Sequence, residues 1–113
     1  MKIAISSTGN TLESEVSEVF ARCPYFLIVE TEGKSYHLAE AVKNEYINAG
    51  SAGIRAAELI AEKGANGVIA GDFGPRAVDV LSQFNIKAWR KKGAVKEALE
   101  EVLSKPAEEE GTE

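Results

Sequence analysis

The chain has 113 residues, of which 44% are hydrophobic and 27% are charged, and this size allows one folded domain with a single core. No segment reaches the roughly 18 consecutive apolar residues that a membrane helix requires, so we expect no membrane partner. The single cysteine excludes an internal disulfide, and a lone thiol is typical of a reducing compartment. We therefore expect a cytoplasmic protein.

The net charge of −5 is concentrated at the C-terminal end of the chain, because four of the 18 acidic residues follow Pro106. The remaining 14 acidic residues face 13 basic residues, so the rest of the chain is close to neutral. A chain without a basic stripe is not expected to bind nucleic acid, since phosphate neutralisation supplies most of that affinity. We predict one domain over residues 1–104 and a disordered acidic tail over residues 105–113.

The hydrophobic pattern predicts three strands in the first half of the chain. Lys2–Ser6 is short and apolar and runs into the turn-forming residues Ser7–Asn10, as a strand does at its end. Tyr25–Glu30 is aromatic and β-branched, which is typical of a buried strand. Gly33-Lys34 then favours a tight turn into Ser35–Val42, so the second and third strands should form a hairpin.

The second half of the chain alternates helices with strands. Apolar residues at helical spacing predict a first helix after Ser51, with Gly64 at the position of a left-handed C-terminal cap. Pro75 suits the first position of the second helix. The elements that follow the first helix are strand, helix, strand and helix, over Gly67–Ala70, Pro75 to about Asn85, Ile86–Arg90 and Val95–Leu103.

The order β-β-β-α-β-α-β-α predicts an α/β fold with a five-stranded mixed sheet and three helices. Hairpin connections make the second strand antiparallel to its neighbours, and right-handed crossovers place the last two strands parallel to the first. The strand order 3-2-1-4-5 satisfies both rules. Ligands of open α/β sheets bind at the carboxyl ends of the parallel strands, so we expect the functional site at that edge.

The loops at the predicted edge carry residues that suit an anion. Glycine-containing turns lead into two helices, whose unpaired backbone N–H groups should point toward the same rim. Arg22, Lys43 and Arg76 would bring positive charge there, and the charge of Arg22 would favour the thiolate of Cys23. The predicted binding residues are Arg22, Cys23, Ser51, Gly53, Gly71, Asp72, Gly74 and Arg76, with Cys23 as the candidate metal ligand.

The patterns of common enzymes are missing from the sequence, so we expect a protein without catalytic activity. Asp72-Phe73-Gly74 matches a kinase motif, but the other kinase loops are absent. His37 falls within the third predicted strand, away from the site, so no Ser-His-Asp arrangement can form there. The first predicted strand, Lys2–Ser6, contains no carboxylate, so it offers no metal ligand to a nuclease that works with two metal ions. One Cys and one His are too few to hold a structural zinc ion or a four-thiolate cluster.

Three segments resemble the dinitrogenase iron–molybdenum cofactor biosynthesis family, which includes NifX-type and NafY-type proteins and the C-terminal part of NifB. They are Val16–Phe26, Gly50–Ala57 and Val68–Ala77, and the resemblance covers nearly the whole chain before the tail. It implies a ribonuclease-H-like three-layer fold. It also implies a non-enzymatic protein, related to nitrogen fixation, that binds or carries an iron–sulfur or iron–molybdenum type cluster or its precursor and exchanges it with a donor or acceptor protein.

The sequence departs from the family at one position that bears on metal binding. Family members often have a His followed by Phe-Gly-Arg where this chain has Val19–Arg22, so the imidazole suspected as a cluster ligand is absent. Cys23 is the candidate to replace it, because thiolate is a softer ligand for iron or copper than imidazole. Such a carrier would hold an anionic cluster with backbone donors, Arg22 and at most one covalent protein ligand.

An alternative hypothesis stays open, in which the chain is a metal-free module that binds a small anionic ligand or a partner protein. Under this hypothesis Cys23 is a small, partly buried residue before Pro24, and the glycine turns are ordinary helix caps. Arg22 and Cys23 discriminate between the two hypotheses, because only the cluster carrier has a use for the thiol.

Overall fold

The computed structural model describes residues 1–104, which form an α/β domain around one five-stranded sheet. The predicted acidic tail, residues 105–113, lies outside the described residues. The strands are β1 (Lys2–Ser7), β2 (Tyr25–Glu32), β3 (Ser35–Lys43), β4 (Gly67–Ala70) and β5 (Lys87–Arg90). The helices are α1 (Ala52–Glu62), α2 (Pro75–Gln83) and α3 (Val95–Ser104), together with a one-turn 3₁₀ helix (Phe20–Arg22).

The sheet confirms the predicted topology. Its order is β3-β2-β1-β4-β5, with β2 antiparallel to both β1 and β3 and with β4 parallel to β1 and β5. Gly33 in the hairpin turn and Gly64 after α1 both have positive φ angles, as the turn and the helix cap require. Four strands therefore end at the same edge of the sheet, and the loops after β1, β3, β4 and β5 gather there.

Alternating side chains along the strands divide the core into two layers. On β1, Ala4 faces the layer formed by α1 and α2, whereas Ile3 and Ile5 face the layer formed by α3. The central strands are buried on both faces, which explains why their sequences are almost continuously apolar. The result is the three-layer arrangement that the resemblance implies.

The ends of the elements differ slightly from the sequence prediction. The Ile86 amide donates to the Leu81 carbonyl oxygen at 2.9 Å, so this residue closes the end of α2 and β5 begins one residue later. The register of β3 against β2 shifts between Leu38 and Glu40, where a β-bulge interrupts the ladder. No helix within residues 1–104 is long and apolar enough to cross a membrane. The cytoplasmic location stays a prediction.

Candidate functional site

The 3₁₀ helix is fixed across the carboxyl ends of β1 and β4. The hydroxyl of Ser6, at the end of β1, donates to the Phe20 carbonyl oxygen at 3.0 Å. The Phe20 amide donates to the Asp72 carbonyl oxygen at 3.0 Å, and the Gly71 amide donates to the Ser17 carbonyl oxygen at 3.0 Å. The long loop after β1 is therefore held over the sheet edge by backbone bonds to two strand ends.

A pocket of about 340 Å³ lies between the 3₁₀ helix and the N-terminal ends of α1 and α2. This volume is within the range of small-molecule sites, about 300–1,000 Å³. Phe20 is fully buried and packs on Phe73, with ring centroids 5.4 Å apart, so one wall of the pocket belongs to the aromatic core. The lining residues are Val19, Phe20, Ala21, Arg22, Gly50, Ala52, Gly53, Gly74, Pro75, Arg76 and Ala77.

Both helices present an uncapped N-terminus to this pocket. The side chain of Ser51, before α1, makes no capping bond, and Gly74, before α2, has no side chain that could make one. Helix geometry leaves the first N–H groups of each helix without an acceptor inside the helix, and in α2 these groups start at Arg76 because Pro75 has no N–H. A Cβ atom on Gly53 would lie only 3.4 Å from the Cβ of Ala77, so the small residues allow a close approach of the two helix ends. The partial positive charges of both ends therefore add at one site.

Two guanidinium groups complete the charge of the pocket. Arg22 donates from Nη1 to the carbonyl oxygens of Ile47 at 2.5 Å and Ala49 at 3.4 Å. Arg76, in the first turn of α2, is exposed, and its guanidinium makes no hydrogen bond or ion pair with another residue among the 104 described. The structure therefore brings together four of the predicted site residues, Arg22, Gly53, Gly74 and Arg76.

Cys23 lies outside the pocket lining, and the expectation that Arg22 favours its thiolate is wrong. The side chain is fully buried, and its thiol donates to the Phe20 carbonyl oxygen at 3.3 Å. Burial raises the pKa of the Cys23 thiol to about 11, although nearby hydrogen bonds act in the opposite direction. The thiol is therefore neutral near pH 7. A ligand role for Cys23 stays a prediction, and this geometry does not favour it.

The other predicted residues lie near the pocket without lining it. Gly71 packs tightly below the long loop, since a Cβ atom there would lie 2.7 Å from the Glu18 carbonyl oxygen. The Asp72 carboxylate accepts from the Phe73 amide at 2.9 Å and pairs with Arg90 at 3.2 Å, and these bonds lower its pKa. Ser51 and Lys43 are exposed and outside the pocket lining; Lys43 lies in a separate hollow beside α1.

The residues that sequence reasoning missed are apolar or structural. Val19, Phe20 and Ala21 line the pocket because a 3₁₀ helix, which the sequence did not predict, turns them toward it. Asn44 is almost fully buried, and its Nδ2 donates to the carbonyl oxygens of Ala21 at 3.0 Å and Cys23 at 2.8 Å. An Asn directly after a strand is a turn signal, which could have drawn attention to it.

A larger hollow of about 430 Å³ lies at the other end of the sheet, beside Met1, Tyr36 and His37. No helix begins among its lining residues, and the glutamates Glu30 and Glu32 make its surroundings unfavourable for an anion. Within residues 1–104, no group of three or more His, Cys, Asp or Glu side chains could hold a metal ion. The pocket at the helix N-termini is therefore the candidate site.

Known proteins resemble this chain in sequence or in structure. The uncharacterized protein MJ0580 of Methanocaldococcus jannaschii is 35% identical over 91 residues, which cover 80% of this chain and 74% of that protein. A solved structure of a candidate NifB protein from Thermotoga is 31% identical, with a TM-score of 0.76, and the match covers 99% of this chain and 94% of that one. The apo form of the orange protein of Desulfovibrio gigas is 27% identical, with a TM-score of 0.80, over 91% of this chain and 87% of that one.

The family model described as dinitrogenase iron-molybdenum cofactor matches residues 1–105. The match includes every strand and helix that builds the pocket. It agrees with the resemblance carried by the segments around Arg22, Gly53 and Gly74, which meet at the pocket. The chain therefore belongs to the dinitrogenase iron-molybdenum cofactor family.

Proposed function

We propose that this protein is a non-catalytic carrier of an iron–sulfur or iron–molybdenum type cluster, or of its precursor. The cargo would bind in the pocket between the 3₁₀ helix and the N-terminal ends of α1 and α2. The observation that carries the proposal is the convergence of two uncapped helix N-termini with Arg22 and Arg76 on one pocket, in a chain that belongs to this family.

The pocket suits a cargo that is an anion and brings its own metal ligands. Helix N-termini and guanidinium groups favour negative charge, as carried by sulfide-terminated clusters. None of the described residues that line the pocket has a thiol, imidazole or carboxylate group. Val19, which stands where family members often have His, lines the pocket and is partly exposed at 43%. The cargo would therefore be held without a covalent bond to the lining side chains.

The composition of the pocket also supports a carrier rather than an enzyme. General acid–base and nucleophilic catalysis require a titratable or nucleophilic side chain within reach of the substrate. The described lining residues are apolar, glycine or arginine, and none of these is a usual general acid, general base or nucleophile. These groups can bind and orient an anion, which is the chemistry that a carrier needs.

Weak, non-covalent binding has an advantage for a protein that passes its cargo to a partner. Affinity differences between related complexes arise mostly in the dissociation rate, so a cargo held by hydrogen bonds leaves faster than one held by several thiolates. The open mouth of the pocket, where Val19, Pro75 and Arg76 are exposed, leaves the cargo accessible to an acceptor protein. The partner is expected to be a protein that donates or receives the cluster.

The test is anaerobic titration of the purified protein with soluble iron–sulfur clusters and with tetrathiomolybdate, a sulfide-terminated molybdenum anion. A stable complex should elute with the protein in gel filtration and show charge-transfer absorption. Arg76→Ala should weaken binding about 3- to 10-fold, because one exposed charge-assisted donor is lost. Arg55→Ala is the matched control, since Arg55 is exposed on α1 outside the pocket lining, and its affinity should stay within about twofold.

Three results would change the proposal. If the wild-type protein binds neither cluster nor tetrathiomolybdate, it is not a cluster carrier. Binding of simple anions such as sulfate, with loss in Arg76→Ala and without any cluster binding, would favour the metal-free module instead. A complex that disappears in Cys23→Ala while the fold is retained would show that Cys23 becomes a metal ligand, and that the cargo does not bring a complete ligand set.

A further inference from the structure

We propose that Arg22 is a strap that couples occupancy of the pocket to the order of the connecting segment, residues 44–51. This segment joins the end of β3 to the start of α1. Arg22 lines the pocket and at the same time bonds to two carbonyl oxygens of the segment. The part of the inference that concerns bound cargo rests on the proposed function, whereas the part that concerns the empty protein does not.

The connecting segment is held at two points by the 3₁₀ helix and the two residues that follow it. At its start, the Asn44 side chain donates to the carbonyl oxygens of Ala21 and Cys23, and the Asn44 backbone N–H donates to the Pro24 carbonyl oxygen at 2.9 Å. Around its middle, the contact is the Arg22 guanidinium, which bridges the carbonyl oxygens of Ile47 and Ala49. The first anchor is buried, whereas the second is an exposed side chain that a ligand can reach.

The guanidinium has enough donors to serve the segment and the pocket together. It carries five N–H groups in a rigid plane, and the bonds to Ile47 and Ala49 both use Nη1. Nε and Nη2 have no partner within residues 1–104. An anion in the pocket that accepts from these atoms would fix the plane of the guanidinium, and a fixed plane strengthens the bonds on its other edge.

This coupling is reciprocal. If an anion in the pocket stabilises the ordered segment by some factor, the ordered segment strengthens anion binding by the same factor. Gly50 belongs to the segment and also lines the pocket, and the α1 N-terminus follows directly. A partner protein that displaces the exposed second half of the segment would therefore lower the affinity for cargo, which gives the carrier a way to release it.

The empty protein provides the first test, by amide hydrogen exchange measured with NMR. The Ala49 amide donates to the Tyr46 carbonyl oxygen at 2.9 Å and so reports on the order of the segment. Arg22→Ala should raise its exchange rate about tenfold, and Arg22→Lys should raise it to a similar degree, because the lysine side chain ends one bond short of the position of Nη1 and does not reach both carbonyl oxygens. Arg76→Ala, the matched loss of charge at the same pocket, should leave this rate unchanged. Equal exchange in wild type and Arg22→Ala overturns the strap.

The second test repeats the exchange measurement with tetrathiomolybdate at saturation. Protection of the Ala49 amide should increase about tenfold in the wild type and should not increase in Arg22→Lys, which keeps the charge. If the wild type binds the anion and the segment keeps its rate, the coupling is wrong while the proposed carrier function stands. If neither the wild type nor any variant binds tetrathiomolybdate or an iron–sulfur cluster, the proposed function and the coupling both fail, and the exchange data for the empty protein then support only the structural contact between Arg22 and the segment.

Discussion

Arg22 and Cys23 are neighbours in the chain, yet their side chains lie in opposite environments. The guanidinium of Arg22 is exposed at the pocket, whereas the thiol of Cys23 is fully buried below the 3₁₀ helix. The backbone between them leaves the 3₁₀ conformation, since Cys23 has an extended ψ angle of 151°. The two groups therefore do not act on one ligand in this conformation, and the interactions of each can be tested separately.

The buried thiol predicts a loss of stability at high pH. Its pKa is about 11 in the folded protein instead of 9.0, so between these pH values the unfolded chain loses the proton while the folded protein keeps it. The folded state then binds more protons, and the free energy of unfolding falls as pH rises, by roughly 2–3 kcal/mol from this group. Below about pH 9 the thiol contributes no pH dependence.

Chemical denaturation of the wild type and Cys23→Ala at pH 8, 9.5 and 11 measures this effect. The quantity of interest is the difference between the two proteins, because contributions that both proteins share cancel in it. The unfolding free energy of the wild type minus that of Cys23→Ala should fall with rising pH, because only the wild type has the thiol. A constant difference would mean that the thiol has an ordinary pKa in the folded protein.

Removal of the Asn44 side chain should destabilise the protein and disturb the pocket wall. Its Nδ2 is the donor for the buried carbonyl oxygens of Ala21 and Cys23, and these acceptors would lose a partner in Asn44→Ala. We expect a loss of about 2–4 kcal/mol of unfolding free energy, measured by urea denaturation. Asn48→Ala, at an exposed position of the same segment, is the control and should change stability by less than about 0.5 kcal/mol. Similar losses in both variants would contradict this role.

Gly67 in β4 is required because the indole of Trp89 in β5 lies directly against it. A Cβ atom on Gly67 would overlap the six-membered ring of Trp89. Gly67→Ala should therefore cost about 1–3 kcal/mol, because the buried ring has to move within a packed core. The cost of Gly67→Ala should become smaller when it is measured in a Trp89→Leu background, and an unchanged cost would assign the effect to the β4 backbone.

A large side chain at Gly74 should close the pocket without disturbing the fold. Gly74 has an ordinary extended conformation, with φ −70° and ψ 157°, and a Cβ atom there would meet no other atom within 4 Å. Gly74→Leu should reduce the affinity for tetrathiomolybdate at least about tenfold, because the side chain takes space in a pocket of about 340 Å³. Asp79→Leu, on an exposed position of α2 outside the pocket lining, controls for added apolar surface. Unchanged binding in Gly74→Leu would place the cargo elsewhere.

Val19 offers a test in which binding should improve. An imidazole at this partly exposed position of the pocket would supply a metal ligand that the described lining residues lack. Val19→His should slow the dissociation of an iron–sulfur cluster and shift its charge-transfer absorption. Val19→Phe, which has a ring of similar shape and no ligand atom, should do neither. An equal effect of both variants would show that ring packing, and not metal ligation, is responsible.

Much of the fold followed from the sequence because the elements have strong local patterns. The apolar run Gly67–Ala70 matches β4 at both ends, and Gly64 has the positive φ angle expected of a helix cap. The site was only partly predictable. Gly53 and Gly74 were found because glycines at the start of helices are visible in the sequence, whereas the side-chain direction of Cys23 depends on a 3₁₀ helix without a clear local signal.

The sequence by itself determined the strand order and the edge of the sheet at which the candidate site lies, because periodicity and connection rules are local properties of the chain. Tertiary structure decided which residues at that edge meet. Arg22, Gly53 and Arg76 come together because two helix ends converge on the 3₁₀ helix, and Cys23 turns into the core because burial of a small apolar thiol is favourable there. Such directions depend on packing between segments far apart in sequence, and no local pattern encodes them.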